Sequence, residues 1–281
     1  MKEVEQFDDY HALEVMKLAA KKAGVVIREA FKLPVSARVD TKSASTDLVT
    51  ETDKEAEGVI IRLIKKHYPK AAFIAEESDS GKGKEAFDKK DGTLIFVIDP
   101  IDGTTNFVHR YPEIAVSIGL VINQLPVVAV CYNPILEDMY TAVQGHGAYK
   151  NGLPIRVSTI TTLDKSIIAS NMPYDRSDAS IDRVEKIYRK CLKKGIHGVR
   201  QPGSAVLCCC YVAEGRLEVY AEKGIQIWDV VAGALIIQEA GGVICNPHTG
   251  GPVDWMNHLF CGANNDPIMR EMVAIHKEAL I

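Results

Sequence analysis

The chain has 281 residues, 47% hydrophobic and 25% charged, an ordinary globular balance able to build a buried core. Lysine and arginine number 33 against 37 aspartates and glutamates, a net charge of −4, which leaves no cationic footprint for nucleic acid. The N-terminus opens Met1-Lys2-Glu3-Val4-Glu5 without an apolar leader, and no run approaches the ~18 apolar residues of a membrane span, so neither nucleic acid nor membrane is expected as a partner.

Between residues 10 and 32, Leu13, Met16, Ala20, Ala23, Ile27 and Ala30 recur at steps of three and four, which predicts a helix burying one stripe, ended by Pro34. The segment 39–46 is polar and aperiodic and reads as a mobile loop carrying Lys42. Thr52-Asp53-Lys54-Glu55 fits a capping box, followed by Ala56, Ile60, Leu63, Ile64 and His67 on one face of a second helix. Asp53 falls in its first turn, where alone it reads as a carboxylate complementing the helix dipole. Ala72-Phe73-Ile74-Ala75 is a short strand running into Glu76-Glu77-Ser78, and residues 79–92 read as an exposed, charged connection.

Leu94-Ile95-Phe96-Val97-Ile98 reads as a strand buried on both faces, and it delivers Asp99-Pro100-Ile101-Asp102-Gly103-Thr104-Thr105 to a sheet edge. Pro100 fixes one φ between the two aspartates and Gly103 allows a tight turn, so both acids can share one small volume. Two anions that close call for a cation. If a helix or tight turn starts at Thr104-Thr105, its backbone N–H groups offer an anion site beside that cation.

From Ile114 to Val157, alternating or β-branched runs broken by turns, with Asn151-Gly152 as a hairpin turn, predict an antiparallel meander. From about residue 160, short strands (166–170, 217–220, 243–244, 259–262) alternate with helices (about 178–194, 204–214, 228–240, 266–279). The expected fold is thus α/β (α+β), with two sheets and helices between and outside them. Gly203-Ser204-Ala205 opens one of these helices and reads as simple helix initiation. Asp229 opens another and alone reads as a helix-dipole charge. The seven cysteines include no C-x-x-C pair and the chain has no glycosylation sequon, which suggests reduced thiols in the cytoplasm; Cys208-Cys209-Cys210 reads as small apolar residues in a helix.

Glu76, Asp99, Asp102, Asp53 and Asp229 all fall at element ends, and an all-oxygen set without nearby His or Cys selects a hard cation, Mg²⁺ or Mn²⁺. On Glu76-Glu77-Ser78, Asp99-Pro100-Ile101-Asp102-Gly103-Thr104-Thr105-Asn106-Phe107, and Trp228-Asp229-Val230-Val231-Ala232-Gly233-Ala234 with Glu239-Ala240-Gly241-Gly242, the chain resembles the inositol monophosphatase family of Mg²⁺-dependent, lithium-sensitive phosphatases, over nearly its whole length. The resemblance implies a layered αβαβα sandwich, with a mainly antiparallel sheet in an N-terminal part (1–160) and a mixed sheet in a closely joined C-terminal part (161–281). It also implies that Glu76, Asp99 and the Ile101 carbonyl bind a first metal, and Asp99, Asp102 and Asp229 a second, with Glu76 contributing to a weaker third. Asp53, Glu76 and Thr104 would position and deprotonate water, and the Gly103 and Thr104 N–H groups would hold phosphate. Lys42, Gly203, Ser204, Ala205, Glu222 and Asp229 would line the substrate site. The implied reaction is Mg²⁺-dependent hydrolysis of a phosphate monoester, myo-inositol monophosphate first, by water and without a covalent intermediate. Fructose 1,6-bisphosphate, 3′-phosphonucleotides and other sugar phosphates remain alternatives, as does a non-catalytic polyol-phosphate-binding protein. The resemblance further implies a homodimer inhibited by Li⁺.

Overall fold

The computed structural model describes residues 8–32, 39–41, 48–78, 81 and 83–280. The first amphipathic run forms α1 (Asp9–Phe31), whose start is capped by Asp8 accepting the His11 N–H at 2.9 Å. Two short strands follow, β1 (Val39–Thr41) and β2 (Leu48–Thr50), paired antiparallel. The sequence reads 39–46 as loop; three-residue strands are too short to show a side-chain period. Lys42 lies outside the described residues. Helix α2 (Glu51–His67) starts directly after β2, so Thr52 sits inside its first turn and is not the cap that its Ser/Thr-x-x-Glu spacing suggests.

Strand β3 (Ala72–Ala75) is followed by a five-residue helix, α3 (Gly83–Phe87), within the stretch expected to be an exposed connection; Phe87 is buried there and anchors it to the apolar face of β3 and β4. Next come β4 (Ile95–Asp102), α4 (Thr104–Val108), β5 (Ala115–Ile122), β6 (Leu125–Asn133), β7 (Asp138–Val143), β8 (Ala148–Lys150) and β9 (Leu153–Pro154). They form one seven-stranded sheet in the order β3-β4-β5-β6-β7-β8-β9, parallel only at β3/β4. Asn151 and Gly152, with φ of 50° and 80°, make the expected hairpin turn.

The remaining chain builds β10 (Ile167–Ala169), α5 (Asp178–Lys194), β11 (Gly198–Arg200), α6 (Ala205–Ala213), β12 (Val219–Lys223), α7 (Ile227–Glu239), β13 (Val243–Cys245), β14 (Leu259–Ala263) and α8 (Asp266–Ala279). Their five-stranded sheet, ordered β11-β10-β12-β14-β13, is parallel on one side of β12 and antiparallel on the other. β11, an edge strand of three residues, is absent from the strands expected from sequence because it is too short to show a period.

Side-chain periodicity stacks these pieces into five layers. Alternate residues of β4 face opposite ways, Phe96 and Ile98 toward α1 and α2, Ile95 and Val97 toward α7. Helices α6 and α7 are apolar on every face because both faces are covered, one by each sheet. Cys208, Cys209 and Cys210 are buried free thiols in this middle layer. Gly233 lets the two helices touch, since a Cβ there would lie 2.4 Å from that of Cys209. The outer layer of α5 and α8 closes the second sheet.

In α8, His276 is buried with its ring 6.4 Å from that of His248. Burial, with His248 and Arg183 nearby, lowers its pKa from 6.5 to about 4. The folded value lies below the unfolded one, so this contribution to stability is complete above pH 6.5 and is lost as pH falls toward 4. A drop of that size corresponds to at most about 3 kcal/mol. In urea titrations, wild type should lose roughly 2 kcal/mol more stability than His276→Gln between pH 7 and pH 4.5; equal losses would show that His276 does not titrate in this way.

Candidate active site

The parallel register of β3 and β4 pairs Ala75 with Ile98, so the next residues, Glu76 and Asp99, leave neighbouring strand ends side by side. The Glu76 N–H donates to the Ile98 carbonyl at 3.1 Å, continuing the ladder by one bond. β4 does not stop at Ile98 as its apolar run suggests. It pairs on to Asp102 through a bulge, with Asp99 opposite Ser117 and Asp102 opposite Ala115. Pro100, which has no N–H to give, occupies that bulge. The bulge brings the two aspartates to the same end of the sheet, and the Ile101 N–H donates back to Asp99 Oδ1 at 2.9 Å. Gly103 then turns with φ of 95°, where a Cβ would lie 2.9 Å from the Glu113 carbonyl, so no larger residue fits. α4 begins at Thr104, whose hydroxyl donates to the Ile101 carbonyl at 3.2 Å.

Two helices of the middle layer bring their first turns to these aspartates. Asp102 Oδ2 accepts the Ser204 hydroxyl and the Val206 N–H, both at 2.6 Å, at the start of α6. Ser204 also caps α6, its Oγ accepting the Leu207 N–H at 3.2 Å. Fully buried and committed to these bonds, Ser204 supports Asp102 from behind. Asp229, in the first turn of α7, accepts the Gln226 N–H at 2.6 Å.

Carboxylate oxygens of Asp99, Asp102 and Asp229 thereby lie within 4.8 Å of one another. Burial first, then the charges of Glu76, Asp102, Asp229 and Asp53, hold the Asp99 carboxyl well above the usual carboxylate range. Asp229 is raised by burial and by Asp102. Asp102 rises only to about 6, because burial is opposed by its bonds to Ser204, Val206 and Ala205. Negative charge gathered this densely out of water is stable at neutral pH when a cation shares it. The donors are all oxygen, which fits a hard metal ion and not a soft one. Asp53, in the first turn of α2 and 1% exposed, is the fifth acid of the group.

A cleft of about 230 Å³ opens over Asp102 and Asp229 and reaches Gly203, Ala205 and Glu222. Glu222 is buried, which raises its pKa to about 7, and its Oε2 accepts the Tyr220 hydroxyl at 2.7 Å and the Asn171 amide at 2.9 Å. Gly203 has φ of 83°, and a Cβ there would lie 2.8 Å from the Asn106 amide.

Three supporting residues escaped the sequence analysis. Asn106 donates to the carbonyls of Glu113 and Pro202, each at 2.7 Å, and so ties the Asp102 turn to the Gly203 turn. Its place inside the motif after Thr105 was the available signal. Buried Glu57, four residues after Asp53 on the same face of α2, accepts the Glu77 N–H at 2.7 Å and steadies the turn carrying Glu76. Asn171, two residues past β10, carries no sequence signal.

The profile of the inositol monophosphatase family matches residues 8–279. Inositol monophosphatase 1 of Solanum lycopersicum is 40% identical over 247 residues, 88% of each chain. Inositol monophosphatase 1 of Homo sapiens is 39% identical over 255 residues, 91% of this chain and 90% of that one. The crystal structure of the extragenic suppressor protein suhB from Bartonella henselae superposes with a TM-score of 0.86 at 32% identity, covering 95% of this chain and 99% of that one.

If repulsion among the acids is relieved by a cation, Asp99→Asn should melt higher than wild type in EDTA, by roughly 2–4 °C for each kcal/mol relieved. Millimolar Mg²⁺ should raise the melting temperature of wild type and leave that of Asp99→Asn nearly unmoved. Equal Mg²⁺ shifts in both proteins would place the ion elsewhere.

Proposed function

Because the chain belongs to the inositol monophosphatase family and is therefore a phosphatase, we propose that it hydrolyses a polyol phosphate monoester, myo-inositol monophosphate foremost, using Mg²⁺ and water. The observation that carries this reading is one cleft lined by Asp102, Asp229 and Glu222, with a carboxylate oxygen of Asp99 within 4.8 Å of those of Asp102 and Asp229. The names of the two relatives described above support inositol phosphate as the substrate.

In this reading Asp99, Asp102 and Asp229, with Glu76 and the Ile101 carbonyl, hold two to three Mg²⁺ or Mn²⁺ ions. When bound, such ions supply the charge that makes water nucleophilic at neutral pH and that offsets the negative phosphoryl group and leaving oxygen. The rest falls to the chain. The Gly103 and Thr104 N–H groups hold the phosphoryl oxygens. Thr104, whose hydroxyl proton is given to the Ile101 carbonyl, keeps oxygen lone pairs with which to orient the attacking water. Asp53 and Glu76, two acids next to Asp99, take up its proton. Glu222, acidic where the alcohol would lie, accepts a hydroxyl hydrogen bond and disfavours a second phosphate there. Gly203, Ala205 and the base of Asp229 complete that wall, with Ser204 behind it and Lys42 as a further contact of the substrate.

No helix among the described residues is long and apolar enough to cross a membrane, and every cysteine is a free thiol, which fits a reducing cytoplasm. A homodimer and inhibition by Li⁺ are part of the same proposal.

Phosphate release should be fastest from myo-inositol 1-phosphate in a panel with fructose 1,6-bisphosphate, 3′-phosphoadenosine 5′-phosphate and NADP⁺. It should vanish in EDTA, fall with Li⁺, and drop about 100-fold or more in Asp229→Asn. In H₂¹⁸O each phosphate should gain one ¹⁸O directly. A preference for either bisphosphate, or a trapped phosphorylated residue, would contradict the proposal.

A further inference from the structure

Asn171 stands two residues beyond the register pair Ala169–Tyr220 of the parallel strands β10 and β12, and Glu222 stands two residues beyond it on the other strand. The equal offset sets the amide and the carboxylate side by side in the wall of the cleft. The Asn171 amide spans two elements. Its Nδ2 donates to Glu222 Oε2 at 2.9 Å, and its Oδ1 accepts the Gly203 N–H at 3.0 Å, with the Cys208 thiol 3.9 Å away. Only one orientation of the amide works, since the flipped one would set its NH₂ against an N–H and its carbonyl against a carboxylate.

Glu222 is held by two donors: the Tyr220 hydroxyl and the Asn171 side chain both donate to Oε2. A carboxylate has about four lone-pair positions, so these bonds leave room for a donor from the substrate. Gly203, the other anchor of Asn171, lies next to Ser204, whose hydroxyl holds Asp102. The Asn171 amide therefore joins Glu222 in the cleft wall to the turn that supports the acidic cluster.

We propose that Asn171 is a positioning residue for the substrate alcohol: by fixing Glu222 relative to the Gly203 turn, it makes the phosphatase select esters whose alcohol can donate one hydroxyl to Glu222. This inference rests on the polyol-phosphatase reading above. A residue that merely held the fold together would affect every phosphate ester alike. Asn171 is half-buried at a strand end, and its hydrogen bonds go to the wall of the cleft.

The test compares kcat and KM for myo-inositol 1-phosphate and for n-propyl phosphate, which has no hydroxyl to offer, at saturating Mg²⁺. Asn171→Asp keeps an acceptor for the Gly203 N–H but sets a negative charge against Glu222. It should raise KM for the inositol ester about tenfold, the worth of one hydrogen bond to a charged group, with kcat and the propyl phosphate constants within about twofold of wild type. Asn171→Ala, which removes the amide without adding charge, should show the same selective rise. Parallel changes for both esters, or retention of the wild-type selectivity in both variants, would overturn the positioning role and leave the polyol reading standing. A wild type indifferent to the hydroxyls would overturn both.

Discussion

Like charges buried together are the constraint around which this molecule is arranged. Asp99, Asp102 and Asp229 bring carboxylate oxygens within 4.8 Å, largely out of water and with Glu76 and Asp53 nearby. Left alone, such a group would protonate or push its elements apart. The chain meets this with donors fixed in the backbone: the Ile101 N–H on Asp99, the Val206 N–H on Asp102 and the Gln226 N–H on Asp229. For Asp102, which has the Ser204 hydroxyl as well, these bonds hold the pKa to about 6. The charge that these donors leave uncompensated is what a bound cation would offset.

The middle layer exists in a form that serves this arrangement. α6 and α7 are sealed between two sheets, which makes their positions stiff, and each starts at one of the acids. Gly233 draws the two helices together, and a Cβ on Gly119 would lie 2.7 Å from Val231, so β5 and α7 are in close contact too. An acid carried at the start of such a helix inherits that stiffness. The outer helices α1 and α2 do the same for Asp53, packing their apolar stripe on the far face of the first sheet.

Much of this was legible in the residues. A five-residue apolar run followed by Asp-x-x-Asp-Gly-Thr-Thr announces a buried strand delivering charge, and the long helices announce themselves by period. Joined to the Glu76 and Asp229 segments, that pattern pointed to the family. Less was legible where structure depends on backbone pairing or on partners distant in sequence. β1, β2 and β11 are three residues each and have no period to read. The bulge at Pro100, which lets one strand carry both aspartates, follows from its pairing with β5. Ser204 read as helix initiation, and it does cap α6, but its second bond reaches an acid 102 residues away. Asn106 and Asn171 work as amide bridges between turns that only the tertiary fold brings together.

Asp99 and Asp102 of β4 and Asp229 of α7 are proposed to form one cation site beside the cleft. Anomalous diffraction from crystals soaked in Mn²⁺ tests it without relying on turnover. A peak bonded at about 2.0–2.6 Å to carboxylate oxygens of Asp99, Asp102 and Asp229 is the predicted result. Manganese bound elsewhere, with that site empty at saturating Mn²⁺, would contradict it.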